Sequence, residues 1–117
     1  NRTEDYLRCY VVHEIGHFWD VENPYWNEFQ SLSGWTQKDT NPDASNYDQA
    51  GNGSDWYYLK SASFTSGYAK NSPRDDFAEA FTAYFAQAEG WNWYLSGNGA
   101  IDAPEKVTLI EGWINEL

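Results

Sequence analysis

The sequence has no methionine, and only one of its 117 residues is a cysteine, Cys9. A single cysteine excludes a disulfide within the chain, so cysteine usage does not distinguish a reducing from an oxidising compartment. A chain that begins with Asn1 and has no methionine is not a complete primary translation product, so we expect a processed form or an excerpt of a longer protein. The length predicts a single domain over residues 1–117.

Basic residues are scarce as well. Seven lysines and arginines stand against 18 aspartates and glutamates, which gives a net charge of -11. Nucleic acids and anionic membrane surfaces bind basic patches, so this balance argues against both as partners. No apolar run approaches the ~18 residues of a membrane-spanning helix, so we expect no membrane insertion. Nothing in these patterns predicts an oligomeric state.

Aromatic residues are abundant and make up 19% of the chain, with seven tryptophans and nine tyrosines. One interpretation is that they fill the core of a small domain, as aromatic side chains do in many proteins. The other is that some of them form a stacking surface for sugars or for the side chains of a partner. Composition alone does not separate the two.

The only two histidines, His13 and His17, enclose an H-E-x-x-H pattern that contains Glu14. Helical positions i and i+4 lie one turn apart on the same face, so both imidazoles can bind one metal ion. Glu14 lies beside that ion, where its carboxylate can accept a proton from the water that the metal activates. This arrangement is typical of a zinc hydrolase, and it predicts Zn²⁺ as the cofactor.

The first predicted helix carries this motif and covers residues 4–19, with Thr3 as its N-cap. Acidic residues in its first turn complement the helix dipole. Gly16 lies between the two histidines although glycine is a poor helix former. We therefore expect another element to pack closely against the helix at Gly16.

Two further helices are predicted in the second half of the chain. Residues 73–89 follow a capping box that begins at Ser72, and they are apolar on most sides. Residues 104–116 form the last helix, with Asp102 contributing to its capping pattern.

The middle of the chain is rich in asparagine, aspartate, serine and glycine. Residues 29–35 and 56–64 contain alternating or aromatic runs, and each is predicted as a short strand. Residues 41–54 show no periodicity and are predicted as an exposed loop. The expected fold class is therefore α+β and helix-rich, with a small or incomplete sheet.

A catalytic zinc ion takes three protein ligands, so a third ligand is needed beside the two histidines. Cys9 and His17 are eight residues apart, a rise of ~12 Å along a helix, so Cys9 is predicted as a small buried residue. Glu79 lies in the middle of an apolar helix, where a carboxylate is costly unless it is paired or bound to metal. Glu79 is the predicted third ligand, and the alternative is an ion pair with Arg74 or Lys70.

Asp75 and Asp76 lie one turn before Glu79 and can reach the same face of the helix. One interpretation is that they orient His13 or His17 by hydrogen bonding. The other is that they only complement the dipole at the start of the helix.

Residues 13–17, taken together with residues 76–81, resemble the gluzincin metallopeptidases. The Phe-Ala-Glu-Ala-Phe helix is similar to the third-ligand helix of the anthrax lethal factor-like group, which includes the Pro-Pro endopeptidases. The resemblance covers two helices and the loop before the second, under half of the chain. It implies a zincin-like fold with an active-site helix and a third-ligand helix. It also implies one catalytic zinc ion held by His13, His17 and Glu79, with Glu14 as general base.

Members of that group place a tyrosine ahead of the ligand glutamate, and its hydroxyl helps to hold the oxyanion. The best match in this chain is Tyr68, although the lethal factor spacing, counted back from Glu79, corresponds to a place nearer Ser72. The thermolysin-like branch has an aspartate one turn after the ligand glutamate, where this chain has Ala83. The resemblance implies zinc-dependent hydrolysis of a peptide or protein substrate by a secreted enzyme.

Two other hypotheses remain open at this point. The domain can be an aromatic-rich binding module for a glycan or a protein, with a non-catalytic zinc site. Such structural sites normally have four protein ligands, and the absence of an obvious fourth ligand favours a catalytic site. Alternatively, the substrate cleft is completed by sequence outside this chain, so that the chain binds zinc without acting alone.

Overall fold

The computed structural model describes residues 1–51 and 53–117, which form four α-helices and a small antiparallel sheet. The helices are α1 (Arg2–Trp19), α2 (Trp26–Ser33), α3 (Pro73–Glu89) and α4 (Pro104–Asn115). The strands are β1 (Thr36–Gln37), β2 (Tyr47–Gln49) and β3 (Trp56–Leu59), and β3 lies between the other two. The prediction of a helix-rich chain with a small sheet is confirmed. Within the described residues, none of the helices is long and apolar enough to cross a membrane.

Helix α1 begins two residues earlier than predicted. Its N-cap is Asn1, whose side-chain oxygen accepts a hydrogen bond from the Glu4 amide at 3.0 Å. The prediction of Thr3 as the N-cap is therefore wrong, because an asparagine one turn before Glu4 satisfies that amide instead. The helix ends at Trp19, as the sequence predicts.

The start of α3 is confirmed. The Ser72 hydroxyl accepts a hydrogen bond from the Asp75 amide at 3.1 Å, and Gly90 ends the helix with a φ of 71°. At α4 the capping prediction is wrong. The Asp102 carboxylate accepts a hydrogen bond from the Asn98 amide at 2.8 Å, so it is used by the turn before the helix.

The predicted strand at residues 29–35 is also wrong, because most of this stretch lies in α2. Trp26 and Phe29, one turn apart on α2, both contact Phe77 with ring centroids 6.0 and 5.3 Å apart. Burial of that helical face against α3 decides the structure, whereas the aromatic run alone looked like a strand. Gly34 then ends the helix with a φ of 63°.

The sheet is only partly where the sequence predicts it. The predicted strand at 56–64 is realised over its first four residues, as β3. The predicted loop at 41–54 contains β2, in which Tyr47 pairs with Leu59 of β3. This pairing depends on a partner that is distant in sequence, so periodicity within the loop did not reveal it. Residue 52 of that loop lies outside the described residues.

Helix α1 crosses α3 at Gly16, as its position between the histidines predicts. A Cβ atom at Gly16 would lie 3.1 Å from the Ala78 Cα atom and 3.2 Å from the Phe81 Cδ2 atom. This close approach brings the histidine face of α1 against the first half of α3. Phe77, Ala80 and Phe81 of α3 pack into a core that also includes Phe29, Ile110 and Trp113.

A buried ion pair joins α3 to α4. The Lys106 ammonium lies 2.9 Å from Oδ1 of Asp76, and both side chains are fully buried. Oδ2 of Asp76 accepts a hydrogen bond from the Trp35 indole at 2.9 Å, and the Lys106 ammonium lies 3.8 Å from the centre of the Phe64 ring. Burial raises the pKa of Asp76 and lowers the pKa of Lys106, because neither charge is hydrated. Asp76 therefore faces the core and not the histidines.

Candidate metal centre

His13 and His17 turn their Nε2 atoms toward one point. The two atoms are 3.0 Å apart, and the ring planes are nearly perpendicular at 83°. The one-turn spacing on α1 produces this arrangement, since it places both side chains on the face that meets α3. Each Nε2 can offer a lone pair to the same metal ion.

Asp75, in the first turn of α3, completes a group of three. Its Oδ1 lies 3.3 Å from Nε2 of His17 and 4.0 Å from Nε2 of His13. Candidate ligand atoms of the three residues lie within 4.8 Å of one another, and the residues that the structure describes contain no other such group. Two imidazole nitrogens and one carboxylate oxygen match the donor set of a catalytic zinc ion, so the residues present fit this metal.

Glu79 lies behind His13. Its Oε2 is 2.9 Å from Nδ1 of His13, the ring nitrogen that faces away from the shared point. The carboxylate is fully buried and accepts hydrogen bonds from the hydroxyls of Ser66 and Tyr94. Arg74, one of the alternative partners, contacts Asp20 instead. The role of Glu79 as a metal ligand stays a prediction.

His17 has a similar carboxylate partner in Asp20. The Oδ2 atom of this buried aspartate lies 3.1 Å from Nδ1 of His17, and it accepts a hydrogen bond from Nε of Arg74 at 2.8 Å. Burial acts to raise the pKa of Asp20, but hydrogen bonds from Arg74 and His17 outweigh it and lower the pKa. The ionised carboxylate of Asp20 therefore accepts a hydrogen bond from Nδ1 of His17. This leaves Nε2 of His17 available for a metal.

An open pocket of about 300 Å³ adjoins the two predicted catalytic side chains. Glu14 and Tyr68 line it together with His13, and Tyr10, Tyr94 and Leu95 complete the lining. The Tyr68 ring centre lies 5.6 Å from that of His13. The charge of Asp75 raises the pKa of Tyr68, so its hydroxyl remains a hydrogen-bond donor at neutral pH. The structure thus brings Glu14 and Tyr68 to one pocket with the first histidine.

Cys9 is buried and does not reach this group. Its thiol lies 3.8 Å from the backbone oxygen of Asn92, and burial raises the pKa of the thiol to about 11. A protonated thiol is a poor metal ligand, since metals bind the thiolate. This agrees with the prediction of a small buried residue.

Three residues of the centre were not predicted from the sequence: Asp20, Ser66 and Tyr94. A signal existed for Asp20, which follows His17 by three residues and so shares its helical face. Ser66 and Tyr94 reach Glu79 from segments on either side of α3. No local pattern predicts these contacts, because they depend on how the segments before and after α3 pack against α1 and α3.

A protein-family model with the description "Putative zinc-binding metallo-peptidase" matches residues 1–111. The matched range contains both histidines, Glu14, Asp75 and Glu79. Neither a curated protein nor a solved structure matches the chain significantly. The prediction of zinc as the cofactor is confirmed, because the matched family binds zinc and the chain holds a fitting group of side chains.

Proposed function

Since the chain belongs to this family of zinc-binding metallo-peptidases, we propose that it hydrolyses peptide bonds at the centre built on His13 and His17. The observation that carries the proposal is the convergence of both Nε2 atoms with the Asp75 carboxylate, next to an open pocket that His13 and Glu14 line. A structural zinc site is normally closed by protein ligands. The adjacent pocket therefore favours catalysis over a binding module with a non-catalytic zinc site.

We assign the third ligand to Asp75 and an orienting role to Glu79. This choice is supported by the distances, since Asp75 faces the Nε2 atoms and Glu79 faces Nδ1 of His13. Asp75 as the third ligand also fits the resemblance to the gluzincins better than Glu79 does. Moving the ligand four residues back, from 79 to 75, moves the expected tyrosine four residues back as well, from near 72 to Tyr68.

Moving the ligand from Glu79 to Asp75 also accounts for the acidic residue that gluzincins of the thermolysin-like branch have after their ligand. With Asp75 as ligand, Glu79 lies one turn later, where the thermolysin-like branch has an aspartate. We therefore also propose that the chain is a member of the lethal factor-like group, with Asp75 as the zinc ligand in place of the usual glutamate. Glu79 as the third ligand remains the alternative that experiment must exclude.

The catalytic roles follow from chemistry at the pocket. Bound zinc supplies Lewis-acid polarisation of a carbonyl group and makes a water molecule more acidic. Glu14 is exposed beside His13, so its carboxylate can accept the proton of the attacking water and pass it to the leaving amine. Tyr68 lines the same pocket and keeps its proton, so its hydroxyl can donate a hydrogen bond to the oxygen on which negative charge develops.

The test is cleavage of a mixed peptide library by the zinc-loaded protein, with the products identified by mass spectrometry. We expect cleavage by the parent and, in Glu14→Gln, a loss of ~100-fold or more with zinc still bound at about one per chain. Glu22→Gln is the control, since Glu22 is an exposed acid just beyond the same helix, and it should keep the parent rate. Parent-like cleavage by Glu14→Gln would refute the role of Glu14. An inactive, zinc-loaded parent would favour the binding module.

A further inference from the structure

Two hydroxyl groups from outside α3 hold the carboxylate that faces His13. We propose that Ser66 and Tyr94 are positioning residues of the metal centre, acting through Glu79 on the His13 ring. The inference rests on the proposed zinc site, because it concerns how that site is kept ready for the metal. Ser66 and Tyr94 flank α3 in sequence, at 13 and 15 residues from Glu79.

Both oxygens of Glu79 are engaged. Oε1 accepts a hydrogen bond from the Ser66 hydroxyl at 2.5 Å, and Oε2 accepts one from the Tyr94 hydroxyl while facing Nδ1 of His13 at 2.9 Å. The glutamate is fully buried, where a carboxylate is costly unless hydrogen bonds satisfy it. Two donors on two different oxygens leave the carboxylate plane a single orientation.

That orientation decides which nitrogen of His13 carries the proton. Tyr94 has one hydroxyl proton, and Oε2 of Glu79 accepts it. Oε2 then also accepts the Nδ1 proton of His13, which leaves Nε2 with a lone pair directed at the shared point.

Tyr94 is itself held by the first turns of α1. The backbone and side-chain amides of Asn92 donate to Oδ2 of Asp5 at 2.9 and 2.8 Å. The Tyr94 ring packs edge-on against Tyr10 and Trp93, with ring centres 5.0 and 5.1 Å away. A loop from beyond α3 is thereby fixed to the helix that carries the histidines, and its hydroxyl has a defined position.

Ser66 is fixed in a similar way, because its oxygen also accepts a hydrogen bond from the Ala69 amide at 3.2 Å. The serine is buried, and it precedes Tyr68 in the segment that leads to α3. Both donors thus come from ordered backbone and not from freely rotating surface side chains.

The first test is the zinc dissociation constant, measured by chelator competition for Ser66→Ala, Tyr94→Phe and the double variant. We expect each single change to weaken zinc binding by about 10-fold and the double change by up to ~100-fold. Both changes keep the packing of the side chains, and circular dichroism verifies folding. The matched control is Tyr25→Phe, which removes a hydroxyl that donates to Glu116, away from the centre, and should leave the constant within about twofold.

The second test needs no metal. Long-range ¹H–¹⁵N NMR of the two histidines at about pH 8.5 reports which ring nitrogen is protonated. We expect the Nδ1–H form of His13 in the metal-free parent and a mixture of both forms in the double variant. An unchanged His13 tautomer together with unchanged zinc affinity would overturn the inference. A parent that binds no zinc would instead refute the proposed function, and the tautomer would still decide the role of the two hydroxyls.

Discussion

Asp75 and Glu79 lie one turn apart on α3, yet their carboxylates face opposite nitrogens of the same imidazole. Oδ1 of Asp75 is 4.0 Å from Nε2 of His13, whereas Oε2 of Glu79 is 2.9 Å from Nδ1. Asp75 is half-buried, and Glu79 is fully buried behind the ring. One helix therefore places one carboxylate where we propose that the metal binds and another behind the histidine ring.

This relationship predicts different results for two isosteric variants. Asp75→Asn should lose most of its zinc at equimolar metal, because a neutral amide is a far weaker zinc ligand than a carboxylate. Glu79→Gln should keep zinc with an affinity reduced by about 10–100-fold, the usual effect of removing a partner that orients a ligand. Elemental mass spectrometry and chelator competition measure both.

Asp48→Asn, a change at an exposed aspartate of β2, is the matched control and should bind zinc as the parent does. The reverse pattern, with zinc retained by Asp75→Asn and lost by Glu79→Gln, would restore Glu79 as the third ligand and withdraw the orienting role.

Tyr68→Phe tests the proposed oxyanion donor. The variant should lose about 10²–10³-fold in kcat, the range found when one such donor is removed, with little change in KM. Zinc affinity should stay near that of the parent, because the hydroxyl is not among the proposed ligands. Steady-state kinetics on a peptide identified in the library screen gives both constants. A kcat within threefold of the parent would limit Tyr68 to lining the pocket.

Local signals in the sequence predicted the parts of the centre that lie on one helix. The spacing of His13 and His17 is a property of α1 alone, and the Ser72 cap is local to α3, so both could be predicted from the sequence. The choice between Asp75 and Glu79 was not, since it depends on how α3 is rotated against α1. Sequence reasoning favoured Glu79 because a carboxylate in the middle of an apolar helix must be paired or bound to metal, and in the structure hydrogen bonds from Ser66 and Tyr94 satisfy it.

The same limit explains the errors in the fold. Aromatic runs in the middle of the chain predicted strands, but the run that contains Phe29 packs as a helix against Phe77. Tyr47 lies in the predicted loop, and it joins the sheet by pairing with Leu59. In a chain with this many aromatic residues, the packing partner and not the local alternation decides between helix and strand.

The crossing of α1 and α3 predicts opposite effects for two glycine-to-alanine changes. Gly16→Ala should destabilise the protein by about 1–3 kcal/mol, because its Cβ would lie 3.1 Å from the backbone of Ala78 and force the helices apart. The same displacement separates the histidines from Asp75, so zinc affinity should fall as well. Denaturant unfolding and chelator competition measure the two effects.

Gly112→Ala is the matched control for that change. Gly112 also lies inside a helix, but a Cβ atom there would meet no atom within 4 Å. Alanine should therefore stabilise the protein by about 0.5–1 kcal/mol through helix propensity, with no effect on zinc. Equal stabilisation at both positions would contradict the close packing of α1 on α3.

The buried ion pair between Asp76 and Lys106 predicts a large loss of stability when the lysine is removed. Lys106→Met should destabilise the protein by about 3–5 kcal/mol, because it leaves the carboxylate of Asp76 buried without its counter-charge. That is a large share of the ~5–15 kcal/mol of stability typical of a folded domain. Denaturant unfolding of the metal-free protein measures the change without a contribution from zinc binding.

Two further variants separate the buried charge from a general effect of losing a lysine. Lys60→Met removes the lysine of an exposed pair, 4.0 Å from Asp48, and should change stability by no more than about 0.5 kcal/mol. Lys106→Met combined with Asp76→Asn should recover part of the loss, since a neutral amide can still accept the Trp35 hydrogen bond without an unpaired charge. If the double variant is no more stable than Lys106→Met alone, the cost lies in the lost contact of the Lys106 ammonium with the rings of Phe29 and Phe64, and the ion pair is not what fixes α4 to α3.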